Sequence, residues 1–240
     1  MAINVQLLLL LGLVFMSTFC IVKSCTCLPA HPQDHFCKSN FVIRARVVPK
    51  HSTKVGHSIF TKRHKNDVVL PTLSGLDKPC DEPFKHWKIR IKKVYKGEEF
   101  IATGAEVSIY TSIFDSLCGV TTLEEGEDYL FMGMLQEGQL RFTTCNWHAK
   151  WSTITKKMRK GLRYQYKSNC NCQISTCGLF DKCSKCLHTK KADGACVWDA
   201  WEGDCESKYS TCIIHDDGRC AWHRSPELSR CRKSIEKKAK

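Results

Sequence analysis

The stretch Cys25-Thr26-Cys27-Leu28-Pro29-Ala30-His31-Pro32-Gln33-Asp34-His35-Phe36-Cys37 runs, through Lys38-Ser39-Asn40, into Phe41-Val42-Ile43-Arg44-Ala45-Arg46-Val47. Its second half alternates. Phe41, Ile43, Ala45 and Val47 share one face while Arg44 and Arg46 interrupt the other, a period of two that predicts a strand ended by Pro49. Ser39-Asn40 reads as a turn. Residues 31–38 are predicted to form one or two helical turns, with Pro32 in the first turn, where its missing N–H is not needed.

What lies before Cys25 gives the stretch its chemistry. Residues 1–24 read as a secretory signal: Leu7 to Phe15 is apolar apart from Gly12, and Val22 and Ser24 stand three and one residues before the proposed cut. The apolar run is shorter than the roughly 20 residues of a membrane span, so no anchor is predicted. Cleavage after Ser24 would leave Cys25 with a free α-amine beside its own carbonyl oxygen. That pair can close a five-membered chelate on a metal ion. Disulfides at Cys25 and Cys27 would hold the chelate at the surface; the alternative is that Cys-x-Cys is only a pair of structural half-cystines.

The remaining chain supplies a framework. Its 240 residues suffice for one large or two small domains. Of 17 cysteines, Cys20 leaves with the signal, and the even remainder in a secreted chain predicts a disulfide scaffold. Cys183-Ser184-Lys185-Cys186 has no second Cys-x-x-Cys to answer it, so structural zinc is not predicted. Further strands are expected over Lys85–Tyr95, with Ile89 and Ile91 facing one way and Lys88, Arg90 and Lys92 the other, and over Ala105–Tyr110, with Val107 and Ile109 inward. Tyr129–Leu135 and Gln139–Thr144 read as a hairpin closed at Glu137-Gly138. Five strands, each with one apolar face, predict a small closed β-barrel with short helices, a mainly β fold. Residues 50–79 are a polar excursion read as a functional loop, mobile hairpin or insertion. Thr155 is expected to cap a helix over Lys156–Lys160 that Gly161 stops. Beyond Cys170 cysteines crowd the chain, predicting a disulfide-held domain with a small core and a frayed, charge-rich tail from Arg230 to Lys240.

Charge and motifs narrow the function. Loss of Lys23 lowers the formal net charge from +13 to +12. On a secreted chain this favours sulfated glycans over nucleic acid. No His-Glu-x-x-His or Gly-x-Ser-x-Gly appears, and no Asn-x-Ser/Thr sequon. His31 and His35 read as a surface pair rather than a zinc pair. Lys156, Lys157, Arg159 and Lys160 read as a solvated face.

Several motifs then converge. The Cys25–Cys37 and Phe41–Val47 stretches, with Lys93-Val94-Tyr95-Lys96-Gly97, Ser116-Leu117-Cys118-Gly119-Val120, Thr143-Thr144-Cys145, Arg159-Lys160-Gly161-Leu162, Cys170-Asn171-Cys172 and Cys220-Ala221-Trp222, resemble a tissue inhibitor of metalloproteinases over the full mature length. Thr26 and the Cys170-Asn171-Cys172 spacing resemble most the matrix-retained member of that family. The resemblance implies an oligonucleotide-binding-type, netrin-like barrel over 25–171 and a disulfide-rich domain over 172–240. It implies no enzyme but a monomeric, secreted, matrix-associated inhibitor that binds zinc metalloproteases one-to-one, whether matrix metalloproteinases or disintegrin-type enzymes. Such a protein has no cofactor of its own and coordinates the target's zinc through Cys25.

In that family Thr26 enters the pocket beside the zinc, and Cys27, Leu28 and Pro29 lie along the cleft. The segment matching Asp115-Ser116-Leu117-Cys118, together with Gly119, supports the other half. A strand-end packing pair is the alternative for Ser116 and Leu117. The resemblance pairs Cys25 with Cys118, Cys27 with Cys145, Cys37 with Cys170, Cys172 with Cys220, Cys177 with Cys183 and Cys196 with Cys212. Cys80, Cys186, Cys205 and Cys231 have no counterpart, and their three pairings stay open; two bonds among them would require one to cross domains. Lys50, Lys54, Lys62, Arg63, Lys88, Arg90 and Lys92 are candidates for glycan binding. A netrin-like matrix adaptor or signalling module would use the same barrel without inhibition, and the state of the N-terminus separates the two readings.

Overall fold

Strand β1 (Phe41–Val47) has partners on both sides, which is the root of the architecture: it pairs antiparallel with β2 (Phe84–Lys96) and with β4 (Asp128–Gln136). In the computed structural model, which describes residues 25–49, 84–177, 194–200 and 204–238, β2 continues to β3 (Glu106–Ser112), β3 runs parallel to β5 (Gln139–Arg141), and β5 returns antiparallel to β4. The circuit β1-β2-β3-β5-β4-β1 is a closed five-stranded barrel. Closure leaves no edge along β1 for another chain to pair with. Short β6 (His148–Lys150) covers β4 where β5 does not reach. The signal segment, the polar excursion with Lys50, Lys54, Lys62 and Arg63, and Cys80, Cys183 and Cys186 lie outside the described residues.

The alternation of β1 and β2 fills the barrel. Phe41, Ile43, Ala45, Ile89, Ile91, Ile109, Phe131 and Phe142 are buried there. Lys92 and Tyr95 are extra residues opposite β1, where the register slips twice. These bulges reset the period, so Val94 returns to the interior while Tyr95 turns outward. At the β4–β5 hairpin Glu137 and Gly138 both have positive φ, 51° and 73°, the requirement of a two-residue turn matched to strand twist.

The outer face of β1 and β4 is also apolar, and helices bury it. Val42, Leu130 and Met132 pack under Phe36 of α1 (Pro32–Lys38), Trp151, Ile154, Met158, Leu162 and Tyr166. Thr155 Oγ1 accepts the Met158 N–H at the start of α2 (Lys156–Lys160), as a cap should. Gly161 does not stop the helix. Its φ of −55° is right-handed, and the chain winds on through a π turn, Gly161–Gln165, and a 3-10 turn, Lys167–Asn169. The glycine serves packing instead: a Cβ there would lie 2.5 Å from the buried Tyr166 ring.

The C-terminal segment has a core built largely of sulfur. Cys172, Cys196 and Cys212 are buried with Ile174, Cys220 and Trp222 against them. Two small sheets, β7 (Ile174–Thr176) with β8 (Cys196–Trp198) and β9 (Cys212–Ile214) with β10 (Cys220–Trp222), frame it. The segment ends in an ordered helix, not a frayed tail. After α3 (Cys205–Tyr209), α4 spans Pro226–Lys238. Ser225 Oγ accepts the Leu228 N–H, Leu228 is buried, Arg232 pairs with Glu206, and Cys231 is bonded to Cys205. That bond is compatible with only one of the three pairings the sequence leaves open, and it fixes two of the four cysteines.

Candidate functional site

Two disulfides bring the two halves of the candidate site together. Cys25 is bonded to Cys118 and Cys27 to Cys145, each with Cα atoms 5.1 Å apart. The Cys25 and Cys27 sulfurs are 3.8 Å apart and those of Cys118 and Cys145 3.3 Å. Thr26, Cys27, Leu28 and Pro29 are exposed. Among the described residues no backbone hydrogen bond ties Thr26–Pro29 to the barrel. Among the described residues the two bridges are the covalent ties that hold this end of the chain in place.

The opposing stretch is rigid for local reasons. The Phe114 carbonyl accepts the N–H groups of Leu117 (3.1 Å) and Gly119 (3.0 Å), and the Asp115 carbonyl accepts that of Cys118 (3.0 Å). Cys118 adopts the left-handed region, φ 60°. Thr144 donates through both its N–H (2.8 Å) and its hydroxyl (3.1 Å) to the Cys118 carbonyl. Gly119 is buried so close to β3 that a Cβ would stand 2.1 Å from the Ser112 carbonyl oxygen. Ser116 is exposed and Leu117 half-buried.

Ile113 and Phe114 belong to this edge, and the sequence reading missed them. They are 42% and 47% exposed, and Leu28 is 84% exposed. The other exposed large apolar groups among the described residues are Tyr164 and Ile214. Three of these five lie within five residues of a cysteine of the two bridges, Leu28 beside Cys27 and Ile113 and Phe114 before Cys118, and exposed apolar groups gathered in this way are characteristic of partner surfaces. An apolar pair just after a strand and before Asp115-Ser116-Leu117-Cys118 is the signal that could have found it.

Three of the basic candidates lie among the described residues. Lys88, Arg90 and Lys92 are exposed on the outer face of β2, and Arg90 is ion-paired to Glu106. His31 is not the surface residue the sequence suggests. It is buried, its Nδ1 accepts the Gln33 N–H at 3.1 Å to cap α1, and its ring packs on Trp198 and Trp222 with centroids 5.7 and 4.9 Å away. Burial pushes its pKa down to about 3 against the pull of the Glu206 carbonyl, and the charge of His35 lowers it further. Next to it, Gln33 Nε2 donates to the carbonyls of Asn169 (3.0 Å) and Cys212 (2.9 Å), while its Oε1 accepts the Cys212 N–H. Helix α1 therefore carries residues 25–30 on one side and docks the C-terminal segment on the other. Cys37 is bonded to Cys170, Cys172 to Cys220 and Cys196 to Cys212. Cys177 is disulfide-bonded too.

The sequence has relatives among known proteins. Residues 23–222 match the family model described as tissue inhibitor of metalloproteinase. The chain is 31% identical to metalloproteinase inhibitor 3 of Gallus gallus over 211 residues, covering 85% of this chain and 84% of that protein. It is 29% identical to metalloproteinase inhibitor 4 of Mus musculus, covering 84% and 81%, and 28% identical to metalloproteinase inhibitor 2 of Homo sapiens, covering 90% and 89%.

Proposed function

The chain belongs to the tissue inhibitor of metalloproteinase family, and from that premise we propose that it inhibits zinc metalloproteases, disintegrin-type enzymes among them, by placing its mature N-terminus on the catalytic zinc. The observation that carries the reading is the doubly tethered, exposed edge formed by Cys25–Pro29 and Ile113–Cys118. Removal of residues 1–24 frees the Cys25 amine. With a pKa near roughly 7.7–8.0, such an amine has a substantial neutral fraction at physiological pH, and a metal draws out more. Amine and carbonyl together take the coordination position that a protease zinc keeps for water. Thr26 then points into the pocket beside the metal, and Cys27, Leu28 and Pro29 follow the cleft as a peptide would. No scissile bond lies over the zinc, because the chain begins there.

Ser116 and Leu117 fill the other side of the cleft, and Ile113 and Phe114 extend that contact. The two bridges close sequence separations of 93 and 118 residues. A terminus that would otherwise fray is ordered before it meets the enzyme, which removes much of the ordering cost of binding. Retention on sulfated glycans and matrix is a separate part of the proposal and rests on the net charge and on Lys88 and Lys92.

The test is to add one alanine before Cys25, or to acetylate its amine. An acylated nitrogen is an amide with a delocalised lone pair, and the added atoms occupy the space over the zinc. The inhibition constant against a matrix metalloproteinase should rise by several kcal/mol equivalent, on the scale of the largest interface hot spots, with an unchanged circular dichroism spectrum. An extended form that inhibits as tightly as the free one would refute the chelate and return the netrin-like reading.

A further inference from the structure

The two bonds that fasten the wedge are not independent. Their four sulfurs lie within 4.8 Å of one another. Two edges of this quadrilateral are the bonds Cys25–Cys118 and Cys27–Cys145. The other two are the open contacts Cys25 to Cys27, 3.8 Å, and Cys118 to Cys145, 3.3 Å. The open contacts are therefore an alternative pairing of the same four atoms, at about van der Waals distance. Cys27 is exposed and the other three are half-buried, so a reductant can reach the cluster.

We propose that Cys25, Cys27, Cys118 and Cys145 act as one thiol–disulfide exchange unit, so that a single reduction by a dithiol releases both tethers of the wedge. A thiolate of the dithiol attacks Cys25 Sγ and expels Cys118 as a thiolate, and the second thiol of the reductant resolves the mixed disulfide. The Cys118 thiolate attacks Cys145 Sγ at the 3.3 Å contact and expels Cys27, which takes a proton from water. Two electrons and two protons have entered. One disulfide, Cys118–Cys145, remains, Cys25 and Cys27 are thiols, and the dithiol is oxidised. Starting at Cys27–Cys145 gives the same product, because the Cys145 thiolate then attacks Cys118 and expels Cys25. Exchange of this kind depends on access and on which sulfur the thiolate can reach, and here the reachable sulfur belongs to the other tether.

The consequence follows from what else holds the segment. Thr26–Pro29 has no backbone hydrogen bond to the barrel among the described residues, and the next covalent fixture is Cys37–Cys170. Cross-pairing leaves residues 25–30 attached only through α1. The dependence of inhibition on this event rests on the wedge reading given above; the exchange itself does not.

The experiment treats the secreted, mature protein with limiting dithiothreitol, quenches with acid, labels thiols with N-ethylmaleimide and maps the remaining disulfides by mass spectrometry. Inhibition of a matrix metalloproteinase is measured on the same samples. Molecules carrying two labels on the four cysteines should hold Cys118–Cys145, with labels on Cys25 and Cys27; the other cross-pair, Cys25–Cys27, equally supports the unit. A doubly labelled species that keeps Cys25–Cys118 or Cys27–Cys145 intact overturns it. Inhibition should fall in proportion to the cross-paired fraction. If cross-pairing forms and inhibition persists, the exchange unit stands and the wedge reading falls.

Discussion

At the scale of the residue, the candidate site separates side chains that carry contact from side chains that carry shape. Thr26 and Phe114 are exposed and touch no core cluster, whereas Gly119 is buried against the Ser112 carbonyl. Thr26→Gly and Phe114→Ala should each raise the inhibition constant, Phe114→Ala by about 1–3 kcal/mol if its ring is fully covered in the complex, and neither should shift the melting temperature by more than a degree or two. An unchanged constant for both across a panel of matrix metalloproteinases would remove this edge from the interface. Thr26 could be proposed from sequence because position relative to a cleavage site is a one-dimensional property. Phe114 could not, because its exposure depends on the tight turn that follows β3. Cys118 sits at φ 60° and the Phe114 carbonyl holds two N–H groups, and neither feature has a periodic signature. His31 failed for the opposite reason: nothing in Ala30-His31-Pro32 announces that two tryptophans some 170 and 190 residues away, Trp198 and Trp222, will enclose it.

At the scale of the element, strands were legible and helix ends were not. Alternating burial marks the later part of β1 and the first half of β2, where one side faces the barrel interior, whereas β4 is buried continuously over 128–133 because the helices cover its outer face as well. The bulges at Lys92 and Tyr95 and the run-on past Gly161 arise from packing of the outer face, which pattern alone does not encode. The tail reading of residues 230–240 follows from their charge; among the described side chains of α4 only Leu228 is buried, and a disulfide at Cys231 and an ion pair at Arg232 add to its anchoring. The most consequential element is α1, whose cap is also its dock. His31 has a pKa of about 3 in the fold against a usual value of 6.5, and burial, ahead of the charge of Lys38, takes His35 to about 4. Between pH 6.5 and those values the unfolded chain binds protons that the folded chain refuses. Stability is therefore fully present above pH 6.5 and is lost as pH falls toward 3, each group contributing at most about 1.4 kcal/mol per pH unit inside its window. Burial also lifts the Asp34 carboxyl, which works in the reverse sense at the acid end. His31→Asn keeps a capping oxygen but cannot take up a proton. Its melting temperature should be lower at pH 7, from lost packing on Trp198 and Trp222, and should decline less steeply between pH 6.5 and 4. Parallel melting curves for parent and variant over that range would show that His31 is not the group being titrated.

At the scale of the whole molecule, an excess of positive charge has to be divided between cations that the fold already uses and cations that face solvent alone. Arg44 and Arg46 converge on Asp128, at 2.5 and 2.6 Å. Burial raises the Asp128 pKa, but hydrogen bonds from Arg46 and Arg44 outweigh it and keep the carboxyl below its usual range. Arg44 and Arg159 also lie over the Trp151 ring, each 4.6 Å from its centroid. These arginines serve the barrel and its helix layer, and removing them would confuse folding with binding. Lys88 and Lys92 on β2, and Lys156, Lys160 and Lys167 along the continuous helical run, are exposed and make no ion pair among the described residues. They are among the cations left to meet a sulfated glycan, with Lys38, Lys93, Lys208, Arg224, Arg230 and Lys233 also exposed, and alanine at these five lysines disturbs no core. The mature protein should bind heparin at low salt and elute only as salt rises, since the Debye length falls from about 10 Å at 0.1 M to 3 Å at 1 M. Lys88→Ala/Lys92→Ala should elute at lower salt than the parent with its inhibition constant unchanged, because β2's outer face is separate from the Cys25–Cys118 edge. If that pair leaves the elution point fixed while Lys156→Ala/Lys160→Ala lowers it, the glycan surface lies on the helical run and the β2 assignment fails. Passage of the parent protein through heparin in low-salt buffer would end the polyanion reading altogether, whatever the net charge.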